Sequence, residues 1–251
     1  MILTASQLVG LFEHLHQGQL SCALFADSRT LITAGVDCTI SVWSVISTSK
    51  TVDLQPKTCL LGHNTPVTTL AISRSLSAFL SASTDGQVFL WDLNRLDFVR
   101  KLCTGRSVSC ARINDVTGNI MICRDRTVTL YSLNGDLILE RDVCDVEDDH
   151  VVSCAFYEGT GDEWLERELL FTGHRHGVVK IWSKAIREGA FTLDLIKRLD
   201  HLDGRRAEGL DKGASITCIL PMAQKVYTGD EDGKVVSLGI VALMGERLTT
   251  I

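Results

Sequence analysis

The sequence lacks what a membrane span, a secreted disulfide framework and a nucleic-acid binder each require. Its longest uninterrupted apolar runs, such as Cys22 to Ala26 and Ile240 to Met244, are about five residues, against the roughly 18 needed to cross a bilayer. No Lys or Arg precedes Arg29, so neither a secretory signal with its basic n-region nor an Arg-rich transit peptide is expected from this sequence. There is no Cys-x-x-Cys pair and no Asn-x-Ser/Thr acceptor, and the cysteines number nine, an odd count. They lie in apolar runs (Cys22, Cys110, Cys154, Cys218) and read as reduced, buried small hydrophobes of a cytoplasmic protein. Positive charge is also short. With 25 basic against 31 acidic side chains the formal charge is −6, the wrong sign for binding phosphates by counterion release, so no nucleic acid is expected.

What is present is a globular composition, 45% apolar and 22% charged over 251 residues. A chain of that length buries about 70 to 75% of its unfolded surface. Apolar residues alternate over short stretches, as in Val67-Thr68-Thr69-Leu70-Ala71-Ile72 and Gln87-Val88-Phe89-Leu90-Trp91, bounded by Ser, Asp and Gly. Such runs are strands.

The strands recur. Five similar runs begin at Leu20, Val67, Val108, Val152 and Ile216, with spacings of 47, 41, 44 and 64 residues, and periods near 40 to 45 are those of four-stranded propeller blades. An Asp at 37, 85, 125 and 232 keeps the same register, with His176 in its place in the fourth unit. Six residues on come Trp43, Trp91, Tyr131, Trp182 and Leu238; four residues before come Thr33, Ser81, Met121, Thr172 and Thr228. The physical reason for this spacing is a hairpin: Asp accepts backbone N–H bonds in the turn, and Gly86, Gly177 and Gly233 supply positive φ where the chain reverses. The hydroxyl before the turn then faces the aromatic after it. His63 and His16, each four residues ahead of its first strand, are placed to join hydroxyl to turn Asp.

Gly62-His63, Ser81-Ala82-Ser83-Thr84-Asp85-Gly86 and Trp91-Asp92 resemble one complete WD repeat, flanked by four weaker ones. The resemblance implies a hydrogen-bonded tetrad of His63, Ser81, Asp85 and Trp91 in the second unit, and of His16, Thr33, Asp37 and Trp43 in the first. The other units depart from it and are expected to be less rigid. Leu61-Gly62-His63-Asn64-Thr65-Pro66-Val67, the run to Leu96, and the stretch from Ser153 to Ser183 are similar to the C-terminal propeller of BEACH-domain (beige-like) proteins, with a fungal flavour in the acidic fourth unit. The similarity runs from about Leu11 to Val236. It implies protein partners, a role in vesicle trafficking or autophagy, a cytoplasmic or peripheral endomembrane place, and contact with a BEACH domain in a longer parent chain.

Catalytic patterns are scarce. No Gly-x-Ser-x-Gly elbow occurs. Gly229-Asp230-Glu231-Asp232-Gly233-Lys234 has phosphate-loop glycines too closely spaced, no following Ser or Thr, and no closing Glu for calcium, so it reads as a hairpin turn. His174-Arg175-His176 and His14-Leu15-His16 put two imidazoles on one side of a strand, as a metal pair requires, but no third ligand stands at a useful spacing. No cofactor or metal is therefore expected. The innermost strands, Leu-Ser-Cys-Ala, Val-Thr-Thr-Leu, Val-Ser-Cys-Ala and Ile-Thr-Cys-Ile, carry no ionisable acid–base groups, which argues against an enzyme with a channel site. Gly204-Arg205-Arg206-Ala207 lacks the Phe and final Gly of a phosphoinositide signature. In Trp91-Asp92-Leu93-Asn94-Arg95 the Arg comes one residue late for the string of propellers that dock on ubiquitin-ligase adaptors, and a continuing strand would turn it to the other face.

One charge feature remains. Residues 140–168 hold eleven acidic side chains against Arg141 and Arg167, a local charge of −9. Such runs are ordinarily solvated loops, but Trp164, outside the aromatic register, is a typical interface anchor. Asp148, Asp149, Asp162, Glu163 and Trp164 are the candidate partner-binding residues. The expected architecture is all-β, a WD40-type propeller of four-stranded antiparallel blades. Residues 1–18 would be the outer strand of a preceding blade; repeats occupy 19–62, 63–105, 106–146, 147–212 (with the acidic insertion) and 213–240; 241–251 is a divergent tail. Five repeats imply an incomplete, open arc, unless a strand at Leu8 to Phe12 pairs with Val235 to Leu238.

Overall fold

A computed structural model of the chain describes residues 16–48, 51–103, 105–157, 168–200, 213–222 and 225–239. Every regular element among them is a β-strand. Five sheets form, each from strands consecutive in the chain: four are four-stranded and the last has three described strands. This is the expected all-β architecture of WD40-type blades. The Leu8 to Phe12 strand, on which the choice between arc and ring turned, lies outside the described residues, as does the tail from 241. The chain divides into two compact units, Met1–Asp115 and Val116–Ile251.

In the first unit, β1 (Leu20–Asp27), β2 (Thr30–Gly35), β3 (Ile40–Ser47) and β4 (Val52–Leu60) make one blade; β5 (Val67–Ser73), β6 (Ala78–Ser83), β7 (Val88–Asp92) and β8 (Phe98–Cys103) make the next, and β9 (Cys110–Ile113) follows. The inner strands are apolar on both faces because neighbouring blades cover them: all six residues of β6 are buried. Ile32, Ile40 and Val42 of the first blade pack with Val67, Leu70 and Phe79 of the second. Burying side chains of this size contributes about 1.5 to 3 kcal/mol each. Pro56 sits in β4, an outer edge strand, where its missing N–H costs the ladder least.

The second unit contains β10 (Ile120–Arg124), β11 (Thr127–Tyr131) and β12 (Leu137–Asp142). A full blade follows, of β13 (Val151–Tyr157), β14 (Leu169–His174), β15 (Val178–Arg187) and β16 (Ala190–Asp200); then come β17 (Ile216–Met222), β18 (Lys225–Asp230) and β19 (Val235–Gly239). Leu169, Phe171 and Ile181 pack with Ile216, Ile219 and Val226 between the last two blades. Their approach is close at Gly173, where a Cβ would come within 2.7 Å of Ile216 Cγ2.

Four of the five innermost strands begin with a β-bulge, at Leu20/Cys22, Val67/Thr69, Val151/Ser153 and Ile216/Cys218. The bulge turns a hydroxyl out of its own ladder and toward the next blade. Ser21 Oγ donates to Val67 O, Thr68 Oγ1 to Val108 O at 3.2 Å, and Ser153 Oγ to Ile216 O at 2.7 Å. These are the residues whose lack of ionisable groups was noted above; their function here is to pin blade to blade.

The turn glycines have the expected left-handed backbone, with φ of 81, 75 and 82° at Gly86, Gly177 and Gly233. In the first blade Cys38 holds the corresponding place at φ 65°, a conformation that costs a side chain about 1 to 2 kcal/mol. Cys38→Gly should therefore raise stability by about 0.5 kcal/mol once the larger unfolded-state entropy of glycine is subtracted. A urea midpoint that stays put or falls would contradict this.

Candidate functional site

Three of the blades carry a buried polar network behind a hairpin turn, and no two are wired alike. In the first, Trp43 Nε1–H donates to Thr33 Oγ1 at 2.8 Å and Thr33 lies 2.9 Å from His16 Nε2. His16 Nδ1–H donates to Asp37 Oδ2 at 2.9 Å. With the imidazole proton on Nδ1, every bond in the chain from Trp to Asp points the same way. Asp37 also accepts the backbone N–H groups of Gln17 and Thr39, at 3.0 and 3.2 Å. Burial works to raise its pKa, but the bonds from Thr39 and His16 outweigh this and hold the carboxyl below its usual range.

The second blade, whose sequence is the most complete, is the incomplete one. Trp91 Nε1–H donates to Ser81 Oγ at 2.8 Å, and Ser81 is 2.7 Å from His63 Nε2. Asp85 does not close the network: its carboxylate accepts Ser83 Oγ at 2.5 Å, Gln87 N at 3.1 Å and Gln87 Nε2 at 2.6 Å. His63 Nδ1 is left buried with no hydrogen-bond partner among the described residues. The reason is local competition: Ser83 and Gln87 flank the turn and reach the carboxylate first, while Phe89 stacks on the His63 ring at 4.4 Å. The assignment of Asp85 to the tetrad is corrected accordingly.

In the fourth blade the network is rebuilt from other residues. Trp182 Nε1–H donates to Thr172 Oγ1 at 2.9 Å, Thr172 is 3.0 Å from His174 Nε2, and His174 Nδ1 is 2.8 Å from Asp149 Oδ2. The imidazole now comes from the strand and the carboxylate from the loop before it, the reverse of the first blade. His176, in the usual Asp position, lies 3.8 Å from Asp149 Oδ1. The signal for this exchange is Thr172-Gly173-His174, a His two residues past the buried hydroxyl. Cys144 Sγ lies 3.6 Å from His174 Nδ1. Burial, reinforced by the Asp149 charge, pushes the Cys144 pKa up to about 12, so this Cys–His pair holds no thiolate nucleophile at neutral pH.

Among the described residues of the acidic segment, several carboxylates are neutralised by cations from elsewhere in the unit. Asp142 pairs with Arg126 at 3.1 Å. Asp145 meets both Lys180 and Arg198 at 2.9 Å. Lys180, 1% exposed, also donates to Val143 O at 2.5 Å and lies 5.8 Å from the Trp182 ring. Asp149 is 6% exposed and held by His174, so it faces no partner, and its reading as a docking residue is corrected. Asp162, Glu163 and Trp164 lie outside the described residues. Arg95 stands in a turn, since β7 ends at Asp92, whose carboxylate accepts the Asn94 and Arg95 N–H groups at 2.8 Å. Among the cysteines named above, Cys110 and Cys154 are buried but Cys218 is exposed.

Asp148 instead lines a cleft of about 610 Å³ in the second unit, together with His150, Val152, Arg175, His176, Gly213, Ser215 and Glu231. Its walls are turns cross-linked by backbone bonds: Arg175 N to His150 O at 3.0 Å, Gly213 N to His176 O at 3.1 Å, and Glu231 N to Ser215 O at 3.0 Å. His150, Arg175, Ser215 and Glu231 carry no individual sequence signature. What they share is position, one or two residues from a repeat marker or at the start of an innermost strand.

The family profile described as WD domain, G-beta repeat, matches residues 7–44 and 54–92. Beige protein homolog 1 of Schizosaccharomyces pombe is 27% identical over 247 residues, which cover 90% of this chain and 9% of that protein. BEACH domain-containing protein A2 of Arabidopsis thaliana is 33% identical over 183 residues, 70% of this chain and 5% of the relative. The human Lysosomal-trafficking regulator is 28% identical over 188 residues, 68% and 5% respectively. The chain thus spans less than a tenth of the length of these relatives. Among the described residues, no helix is long and apolar enough to cross a membrane.

Proposed function

From the premise that this chain is a set of WD-repeat propeller blades related to the BEACH-domain proteins, we propose that it is a non-catalytic platform for protein partners in vesicle trafficking or autophagy. The observation that carries this reading is the cleft between the turns of the last two blades. It is lined by Arg175 and Glu231, with Asp148, His150, His176 and Ser215, on loops already tied by backbone hydrogen bonds. Loops fixed in advance lose little entropy on association. A cleft lined by charges of both signs selects a partner segment that itself carries both signs.

The relatives add the setting. One bears the name Lysosomal-trafficking regulator, and a place at endomembranes, reached through partners and without insertion, fits that company. In a longer parent chain, a BEACH domain is the nearest partner to consider. Exchanging the two charges, as Arg175→Glu with Glu231→Lys, should remove captured proteins from an affinity experiment with the purified chain while leaving its thermal midpoint within about 1 °C of the parent, because both are surface changes. An unchanged set of captured proteins would refute the cleft as the docking place.

A further inference from the structure

We propose that Cys144, Asp149 and His174 form a binding site for one zinc-class divalent cation. Their donor atoms all lie within 4.8 Å of one another. Asp149 Oδ2 is 2.8 Å and Cys144 Sγ 3.6 Å from His174 Nδ1. The edges of a zinc tetrahedron with bonds of about 2.0 to 2.3 Å are roughly 3.3 to 3.7 Å long; the Cys144–His174 edge already has that length, and a cation would replace the His174–Asp149 hydrogen bond, parting those two atoms by about 0.5 Å. The sequence offered His174 and His176 with no third ligand nearby. The fold supplies the missing ligands from Cys144 and Asp149.

A second observation points the same way. Asp149 Oδ1 is buried and makes no hydrogen bond by distance, its facing group being the His176 imidazole at 3.8 Å, so this carboxylate keeps acceptor capacity that an ion or water would use. The supporting shell is also built: Thr172 Oγ1, fixed by Trp182, meets His174 Nε2 at 3.0 Å, which orients the ring as metal-bound imidazoles are usually oriented. Charge balances as well, since one thiolate and one carboxylate neutralise a divalent ion in a place where net charge would be costly. On binding, the Cys144 thiol proton leaves to solvent. The imidazole offers Nδ1 unprotonated and keeps its proton on Nε2, facing Thr172. Cys144 is only half-buried, leaving the fourth position to water.

The test titrates the purified full chain with ZnCl2 by calorimetry, and with Co²⁺ by absorption, comparing Cys144→Ala and, as a control, Cys59→Ala. One equivalent of metal, a thiolate-to-cobalt charge-transfer band, and affinity at least tenfold weaker in Cys144→Ala but unchanged in Cys59→Ala are expected. Zinc should also raise the thermal midpoint of the parent and not of Cys144→Ala. Absence of binding, a cobalt spectrum without the thiolate band, or equal affinity in Cys144→Ala would overturn the site. Partner capture through Arg175 and Glu231 is a separate readout, so either proposal can fail without the other.

Discussion

Asp37→Ala should lower the unfolding free energy by about 2 to 3 kcal/mol, and Asp85→Ala by about 1 kcal/mol, although the sequence makes the second residue look the more important. Removing Asp37 leaves His16 Nδ1, whose side chain is 1% exposed, with only the Thr39 hydroxyl at 3.2 Å as acceptor, and opens the end of a one-directional network. A buried donor left without its acceptor costs about 1 to 3 kcal/mol. The Gln17 and Thr39 N–H groups recover part of their loss from water. The Asp85 carboxylate is bonded chiefly within its own turn, to Ser83 and Gln87, and His63 Nδ1 has no hydrogen-bond partner among the described residues to lose. Urea denaturation of the two variants decides the matter; equal costs, or the reverse order, would show that Asp85 closes the network in solution after all.

The second large effect is a loss of stability in mild acid that originates at His63. Burial lowers its pKa from 6.5 to about 4; the Asp85 charge works to raise it and Lys101 to lower it. In the folded state the imidazole therefore resists protonation, whereas the unfolded chain takes up a proton already near pH 6.5. Its contribution to stability is complete above pH 6.5, shrinks as the pH falls toward 4, and is constant below that. The full shift discounted for residual solvent contact gives about 2 kcal/mol across this window. His63→Gln should flatten the pH dependence between 6.5 and 4. Asp37, with its lowered pKa, acts in a different range: its contribution is present above about pH 4 and is lost only in stronger acid. A parent protein equally stable at pH 7 and pH 4.5 would refute the buried neutral state of His63.

The repeat was legible because strand alternation and turn chemistry are local: the aromatic at 43, 91 and 182 and the hydroxyl at 33, 81 and 172 fall where the hairpin geometry puts them. Donor direction was not legible. Whether a turn carboxylate reaches a His or a neighbouring Gln depends on how side chains that share one turn compete for it, as at Asp85 and Gln87. The fourth blade shows a second limit, since Asp149 and His174 exchange the roles that repeat register assigns to other positions. The acidic run misled for a third reason. Its compensating charges, Arg126 in a turn and Lys180 and Arg198 in strands, come from outside the run, and a local charge count does not see them.

The bulge hydroxyls have a consequence for how damage would spread. Ser21 does not hold the blade that encodes it; it holds the carbonyl of Val67, the first residue of the next one, and Thr68 in turn holds Val108. At these junctions, as at Ser153 and Ile216, registry is handed forward along the chain like overlapping shingles, the later repeat reading its starting point from its predecessor. The amides that begin to exchange faster after Ser21→Ala would be those at the opening of β5, a whole repeat downstream of the altered residue.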